Sequence, residues 1–143
     1  MTITQATHIN RIARFEQSPG LSEESRINII KVKEIADHFN SSVSRQSGAK
    51  QRFYFLSRQW KTDTKYLSSI NEMVLHPAYQ QIVGMGPAAI PLILLELKKD
   101  PDYWFEALKS ITGINPVVEK DMGNLSKMVE AWLDWGSVNG YIK

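Results

Sequence analysis

Histidine and serine are the side chains that could lead acid–base or nucleophilic chemistry here, because the 143 residues include no cysteine. No two of His8, His38 and His76 lie three or four residues apart, the spacing that puts two metal ligands on one helix face. No serine stands in a Gly-x-Ser-x-Gly turn of the hydrolase type. His76, directly before Pro77, is more typical of a capping residue. We therefore expect no enzyme, no metal, no cofactor and no small-molecule substrate.

Three consecutive aromatic residues, Tyr103, Trp104 and Phe105, are the most distinctive candidate for binding. In a helix, successive side chains are turned by about 100°, so three in a row cannot all face the core. We expect at least one of Tyr103 and Trp104 to face solvent, with Trp104 as the anchor of a protein contact. Lys98, Lys99 and Asp102 would form its polar rim, as in many interfaces.

Charge is divided unevenly along the chain. Eleven basic and six acidic residues precede Leu67, against six basic and nine acidic residues after it. The excess of positive charge suggests an alternative function, association with nucleic acid. The candidate residues are Arg45, Lys50, Arg52, Arg58, Lys61 and Lys65.

The segment 32–45 also imitates a helix-turn-helix motif. Residues 32–39 resemble its first helix, and residues 43–45 resemble the start of a recognition helix. Gly48 would limit that second helix to about one turn, too short to read a major groove. An amphipathic helix followed by a linker is the interpretation that we favour.

Composition is that of an ordinary globular chain, with 43% hydrophobic and 22% charged residues. The longest apolar run, 90–95, falls far short of the roughly 20 residues of a membrane helix. The first 20 residues hold no apolar block of the signal-peptide kind. We expect a cytoplasmic protein.

Apolar spacing and helix-breaking residues predict an all-α fold, a compact multi-helix domain. Residues 1–50 are expected to be a polar region with one amphipathic helix at about 22–40 and a Ser-rich linker at 40–50; residues 51–143 form the helical domain. Within that domain, Ser69 begins a capping box and Pro77 restarts a helix. Further helices are predicted at about 51–64, 70–83, 88–99, 102–111 and 124–135, and Trp132 belongs to the core.

The segment 84–113, GMGPAAIPLILLELKKDPDYWFEALKSITG, resembles a HEAT-type repeat. It has a Gly-Pro start, a first helix with Leu-Ile contact positions, an Asp-Pro turn and a second helix that closes on a glycine. The resemblance implies a HEAT-like helical hairpin whose faces are covered by neighbouring helices.

A longer pattern is similar to an uncharacterised family of small bacterial proteins. It is carried by HPAYQ, GMGPAAIPLIL, PDYWFEAL, ITGINPV and AWLDWG, and it covers about 53–141. The resemblance supports one domain at 51–143 and implies no activity. We expect a non-enzymatic binding or adaptor module, a small regulatory subunit that engages a protein partner.

Overall fold

The fold is described by a computed structural model for residues 20–143. Six α-helices follow one another, and no strand occurs among these residues, so the all-α prediction is confirmed. Their bounds are α1 Glu23–Thr64, α2 Ile70–Val74, α3 Pro77–Gly84, α4 Ile90–Lys99, α5 Phe105–Thr112 and α6 Leu125–Val138. Short 3₁₀ helices lie at Gly86–Ala89 and Glu119–Asp121. The expectations for residues 1–19, His8 included, lie outside the described residues.

The Ser-rich linker predicted at 40–50 is wrong, because α1 is a single helix from Glu23 to Thr64. The polar side chains of this stretch bond to carbonyls of the helix itself: the Ser42 hydroxyl donates to the carbonyl of His38 at 2.9 Å, and Arg45 Nε donates to that of Ser41 at 3.3 Å. Glycine in a helix costs only about 1 kcal/mol relative to alanine, and a helix propagates readily once formed. Gly48 therefore does not interrupt α1, and the helix-turn-helix resemblance fails because no turn is present.

The chain divides into two compact units at Arg45 and Gln46. The described part of the first unit, residues 20–45, consists of the first half of α1. Its helix begins at a serine cap, since the Ser22 hydroxyl accepts the amide of Ser25 at 3.2 Å. The second unit, residues 46–143, holds the rest of α1 and the helices α2 to α6.

Local caps fix where the helices of the second unit begin. The Ser69 hydroxyl accepts the amide of Glu72, and the Asn124 side chain accepts the amide of Lys127. His76 Nδ1 accepts the amide of Ala78 at 3.1 Å, with Pro77 in the first turn of α3. The expectations that Ser69 and His76 cap helices and that Pro77 restarts one are confirmed.

An aromatic cluster forms the centre of the second unit. Trp104 packs against Phe53, Trp60 and Tyr79 with ring centroids 4.5–5.7 Å apart, and it is nearly parallel to Tyr79, at 9°. Trp60 is fixed in turn because its Nε1 donates to the carbonyl of Met73 at 2.8 Å. These rings join α1 and α3 to the loop before α5.

The α4 and α5 helices, which span most of 84–113, lie beside this cluster and supply buried apolar residues to it. Helix α6 packs on α4 so closely that a Cβ on Gly136 would lie 2.5 Å from Leu94 Cδ1. Trp132 of α6 is fully buried, which confirms it as a core residue. The HEAT-like character of the α4–α5 pair stays a prediction.

Among the described residues, none of the helices is by itself both long and apolar enough to cross a membrane. The stretches Pro77–Gly84 and Gly86–Lys99 meet that test only as a pair, and the pair is bent by 110°. Several of their large apolar residues, among them Ile82, Ile93 and Leu97, are buried in the core.

Candidate binding site

Trp104 is not the exposed anchor that the sequence suggests. It is fully buried, whereas Tyr103 keeps 39% of its surface exposed. The reason is that α5 begins at Phe105, so Tyr103 and Trp104 precede the helix and the rotation of about 100° per residue does not apply to them. The expectation that one of the two faces solvent is confirmed for Tyr103, and the anchor role of Trp104 is wrong.

Tyr103 is held in place by the residues on both sides of it. Its amide donates to Asp102 Oδ1 at 2.8 Å, and its carbonyl accepts the Tyr79 hydroxyl at 3.0 Å. The same hydroxyl accepts the amide of Ala107 at 2.8 Å, so it also caps a free donor of α5. Burial raises the pKa of Tyr79 well above its ordinary value, so this hydroxyl stays protonated and can keep donating.

An apolar groove of about 300 Å³ opens beside Tyr103, and we call it the Tyr103 groove. It collects side chains from α2, from the start of α5, from the loop before α6 and from α6 itself. The lining residues are Ile70, Val74, Tyr103, Phe105, Glu106, Met122, Gly123, Leu125 and Met128. Several of these apolar side chains are half exposed, Met122 at 51% and Ile70 at 47% among them.

One charged side chain lines the groove. Glu106 is its one charged lining residue, and its carboxylate is 3.2 Å from Lys109 Nζ. The charge that the groove itself presents is therefore acidic and already paired. Lys98 lies exposed at the end of α4 and does not line the groove.

Four of the six basic residues predicted for nucleic acid lie on the same side of the second unit as Tyr54. Lys50, Arg58 and Lys61 fall within about 80° of arc on α1, and Lys65, directly after its last residue, lines the same cleft as Arg58 and Lys61. We call these residues, with Tyr54, the basic face. Arg52 is turned away from it, and Arg45 belongs to the first unit.

The basic face borders a polar cleft of about 540 Å³, to which α4 contributes Glu96 and Lys99 and the residue after it, Asp100, also contributes. Lys99, predicted for the protein contact, thus lies with the nucleic-acid candidates instead. Lys61 Nζ is 3.2 Å from Glu96 Oε2 and 2.9 Å from Asp100 Oδ2, so two acids already hold this cation. The other cations that line the cleft are Arg58, Lys65 and Lys99, and Lys65 Nζ lies over the Tyr66 ring, 5.3 Å from its centre.

The ion pairs displace two pKa values in opposite directions. Burial works to lower the pKa of Lys61, but hydrogen bonds to Asp100 and Glu96 and their charges outweigh it, and the pKa is raised above 10.5. The hydrogen bond from Lys61 and its positive charge lower the pKa of Asp100 below 3.8. Both groups are therefore charged over the whole neutral range.

Among the described residues, His76 and Asp63 most resemble a catalytic pair, because His76 Nε2 lies 3.1 Å from Asp63 Oδ2. Since Nδ1 accepts the amide of Ala78, the hydrogen-bonding pattern assigns the proton to Nε2, which donates to Asp63. Neither ring nitrogen is then left to accept a proton from a substrate. Within residues 20–143, no group of three or more His, Asp and Glu side chains could hold a metal ion.

Sequence reasoning missed most of the groove. Ile70, Met122 and Leu125 are each flanked by polar residues in the sequence. They form one surface because the fold brings these distant segments together. Comparison with protein families, curated proteins and solved structures finds no match to this chain.

Proposed function

We propose that the protein is a non-enzymatic binding module that receives an apolar segment of a protein partner in the Tyr103 groove. The observation that carries this is the groove itself, in which large apolar side chains from four parts of the second unit remain half exposed. Side chains of this kind concentrate binding energy when a partner excludes water from them. A cytoplasmic location and a bacterial source remain predictions that accompany this proposal.

The chemistry of the lining favours a peptide over a small molecule. Small-molecule sites combine apolar walls with several converging polar groups, whereas this groove offers the Glu106 carboxylate and the Tyr103 hydroxyl. An amphipathic helix that places two or three large apolar residues in a groove needs no more than that. Because the one charged lining residue is the acidic Glu106, the segment should carry Lys or Arg beside its apolar residues.

A synthetic amphipathic peptide tests the proposal, with leucines on one face and lysines at its flanks. Methyl NMR of the methionines reports directly, since Met122 and Met128 line the groove and Met85 lies elsewhere in the core. We expect the peptide to shift the signals of Met122 and Met128 and to leave Met85 unchanged. A peptide with serines in place of the leucines, and one with glutamates in place of the lysines, should bind at least tenfold more weakly.

A pair of variants distinguishes binding in the groove from nonspecific binding of the peptide. Met122→Glu places a charge in the groove and should abolish the shift of Met128. Leu75→Glu is the matched control, because Leu75 is 71% exposed and does not line the groove. Equal loss in both variants, or peptide-induced shifts confined to Met85, would overturn the proposal.

The shared orientation of the basic face favours a second candidate function, binding of single-stranded nucleic acid. Cationic side chains that follow a phosphate backbone, with an aromatic ring among them, are the usual elements of such sites, and Tyr54 is 38% exposed. Affinity for an oligonucleotide should then fall with salt, by a slope of about −0.7 per phosphate contacted. Arg58→Gln should reduce that slope, and Arg52→Gln, off the face, should not. A slope that neither variant changes would exclude this face.

A further inference from the structure

The first unit leaves a row of large apolar side chains open to solvent. Val32, Ile35, Phe39 and Val43 are 56%, 70%, 66% and 49% exposed. They follow one another at spacings of three, four and four residues, which keeps them within about 80° of arc on α1. We call them the N-terminal stripe. Isolated exposed apolar residues are ordinary, but four in one row mark a contact surface.

The spacing of the stripe is that of a short coiled-coil seam. Val32 and Phe39 occupy the first position of successive heptads, and Ser25 lies at the same position one heptad earlier. Ile35 occupies the fourth position, which Asn28 holds in the preceding heptad and Ser42 in the following one. The ends of this seam are polar and its middle is apolar. Its pattern is nearly symmetric about the point between Val32 and Ile35.

Charges beside the stripe are arranged to suit one orientation of a second copy. Glu24, Lys31, His38 and Arg45 recur every seven residues along the same edge of the seam. In an antiparallel pair of helices, like edges meet, and Glu24 of one copy then faces Arg45 of the other at both ends. In a parallel pair, this edge would instead face the apolar edge formed by Ile29, Ala36 and Val43, and Glu24 and Arg45 would not meet.

We infer that the protein forms a twofold-symmetric dimer through the N-terminal stripe, with the two α1 helices antiparallel. Val32 of each copy packs against Ile35 of the other, and Phe39 packs beside Asn28. Twofold symmetry makes every contact between different residues occur twice, so even a short seam provides a full set of paired contacts. The inference rests on the first unit alone and is independent of the function proposed for the groove.

Sedimentation equilibrium of the full chain, over roughly a hundredfold range of concentration, is the first test. The mass should rise with concentration from 16.3 kDa to twice that value and no further. Ile35→Glu should hold the chain at 16.3 kDa throughout, while circular dichroism shows unchanged helix content. Ile30→Glu is the matched control, because Ile30 is 42% exposed on the opposite side of α1, and it should dimerise like the parent chain.

Disulfide cross-linking decides the orientation, and since the chain has no cysteine of its own, only introduced cysteines can react. In the antiparallel pair Ser25 of one copy lies across from Ser42 of the other, so a mixture of Ser25→Cys and Ser42→Cys chains should oxidise to mixed dimers only. Arg45→Glu should weaken the dimer roughly fivefold or more, and adding Glu24→Arg should restore it. A monomer at all concentrations, masses beyond the dimer, or Ser42→Cys chains that cross-link to themselves would each overturn the inference.

Discussion

Phe39 and Phe53 lie on the same helix and have opposite surroundings. Phe39 is 66% exposed in the first unit, whereas Phe53 is fully buried in the second, against Trp104. Both belong to regular apolar rows, so periodicity treats them alike. An apolar pattern therefore sets which residues share a face, whereas other segments of the chain decide whether this face is covered.

Removal of Trp104 should have the largest effect. Trp104→Ala leaves a cavity between Phe53, Trp60 and Tyr79 and should lower the free energy of unfolding by about 3–5 kcal/mol. Denaturant unfolding followed by circular dichroism measures it, and Tyr103→Ala, at a half-exposed neighbour, should cost less than about 1 kcal/mol. An equal loss of unfolding free energy in Trp104→Ala and Tyr103→Ala would show that Trp104 is not part of the buried core.

Tyr79→Phe keeps the ring in the aromatic cluster and removes only the hydroxyl. The buried amide of Ala107 then loses its acceptor and the Tyr103 carbonyl loses its donor, a cost of about 1–3 kcal/mol. Hydrogen exchange should show faster opening at the start of α5. An unchanged free energy of unfolding would mean that water replaces the hydroxyl there.

Lys61→Met tests the ion pairs at the basic face through pH. Because the pKa of Asp100 is lowered in the folded chain, its contribution to stability is present above its ordinary value of 3.8 and is lost as the pH falls through the lower native value. In Lys61→Met, the free energy of unfolding should no longer show the decrease that protonation of Asp100 causes in the parent chain. The raised pKa of Lys61 acts oppositely, since its contribution is complete below 10.5 and is lost as the pH rises through the native value. Unfolding curves from neutral pH into acid, for both chains, provide the comparison.

Phe39→Ala should have the smallest effect on the free energy of unfolding, less than about 0.5 kcal/mol. The measurement belongs at a concentration where the chain is monomeric, so that loss of the dimer does not enter. A cost as large as that of a core phenylalanine would show that the N-terminal stripe is covered within one chain, and the contrast with Phe53 would disappear.

The local features of this fold were predictable because their causes are local. Ser69 caps α2 through an amide three residues away, and Pro77 starts α3 because it needs no amide partner in the first turn. The burial of Trp132 also followed from its place in an apolar row. The continuity of α1 through Gly48 did not follow in this way, because serine, asparagine and glycine are weak helix formers whose cost the neighbouring turns outweigh.

Hydrogen bonds and spacing within a few residues make the protein helical, set where most helices begin and set which side chains lie on a common face, so these features could be predicted from the amino-acid sequence. Packing between distant segments makes Trp104 core and Tyr103 surface, brings Lys61 to Glu96 and Asp100, and places Ile70 and Met122 at one groove. Each of those outcomes depends on contacts between segments that are far apart in the chain. No short-range pattern carries that information.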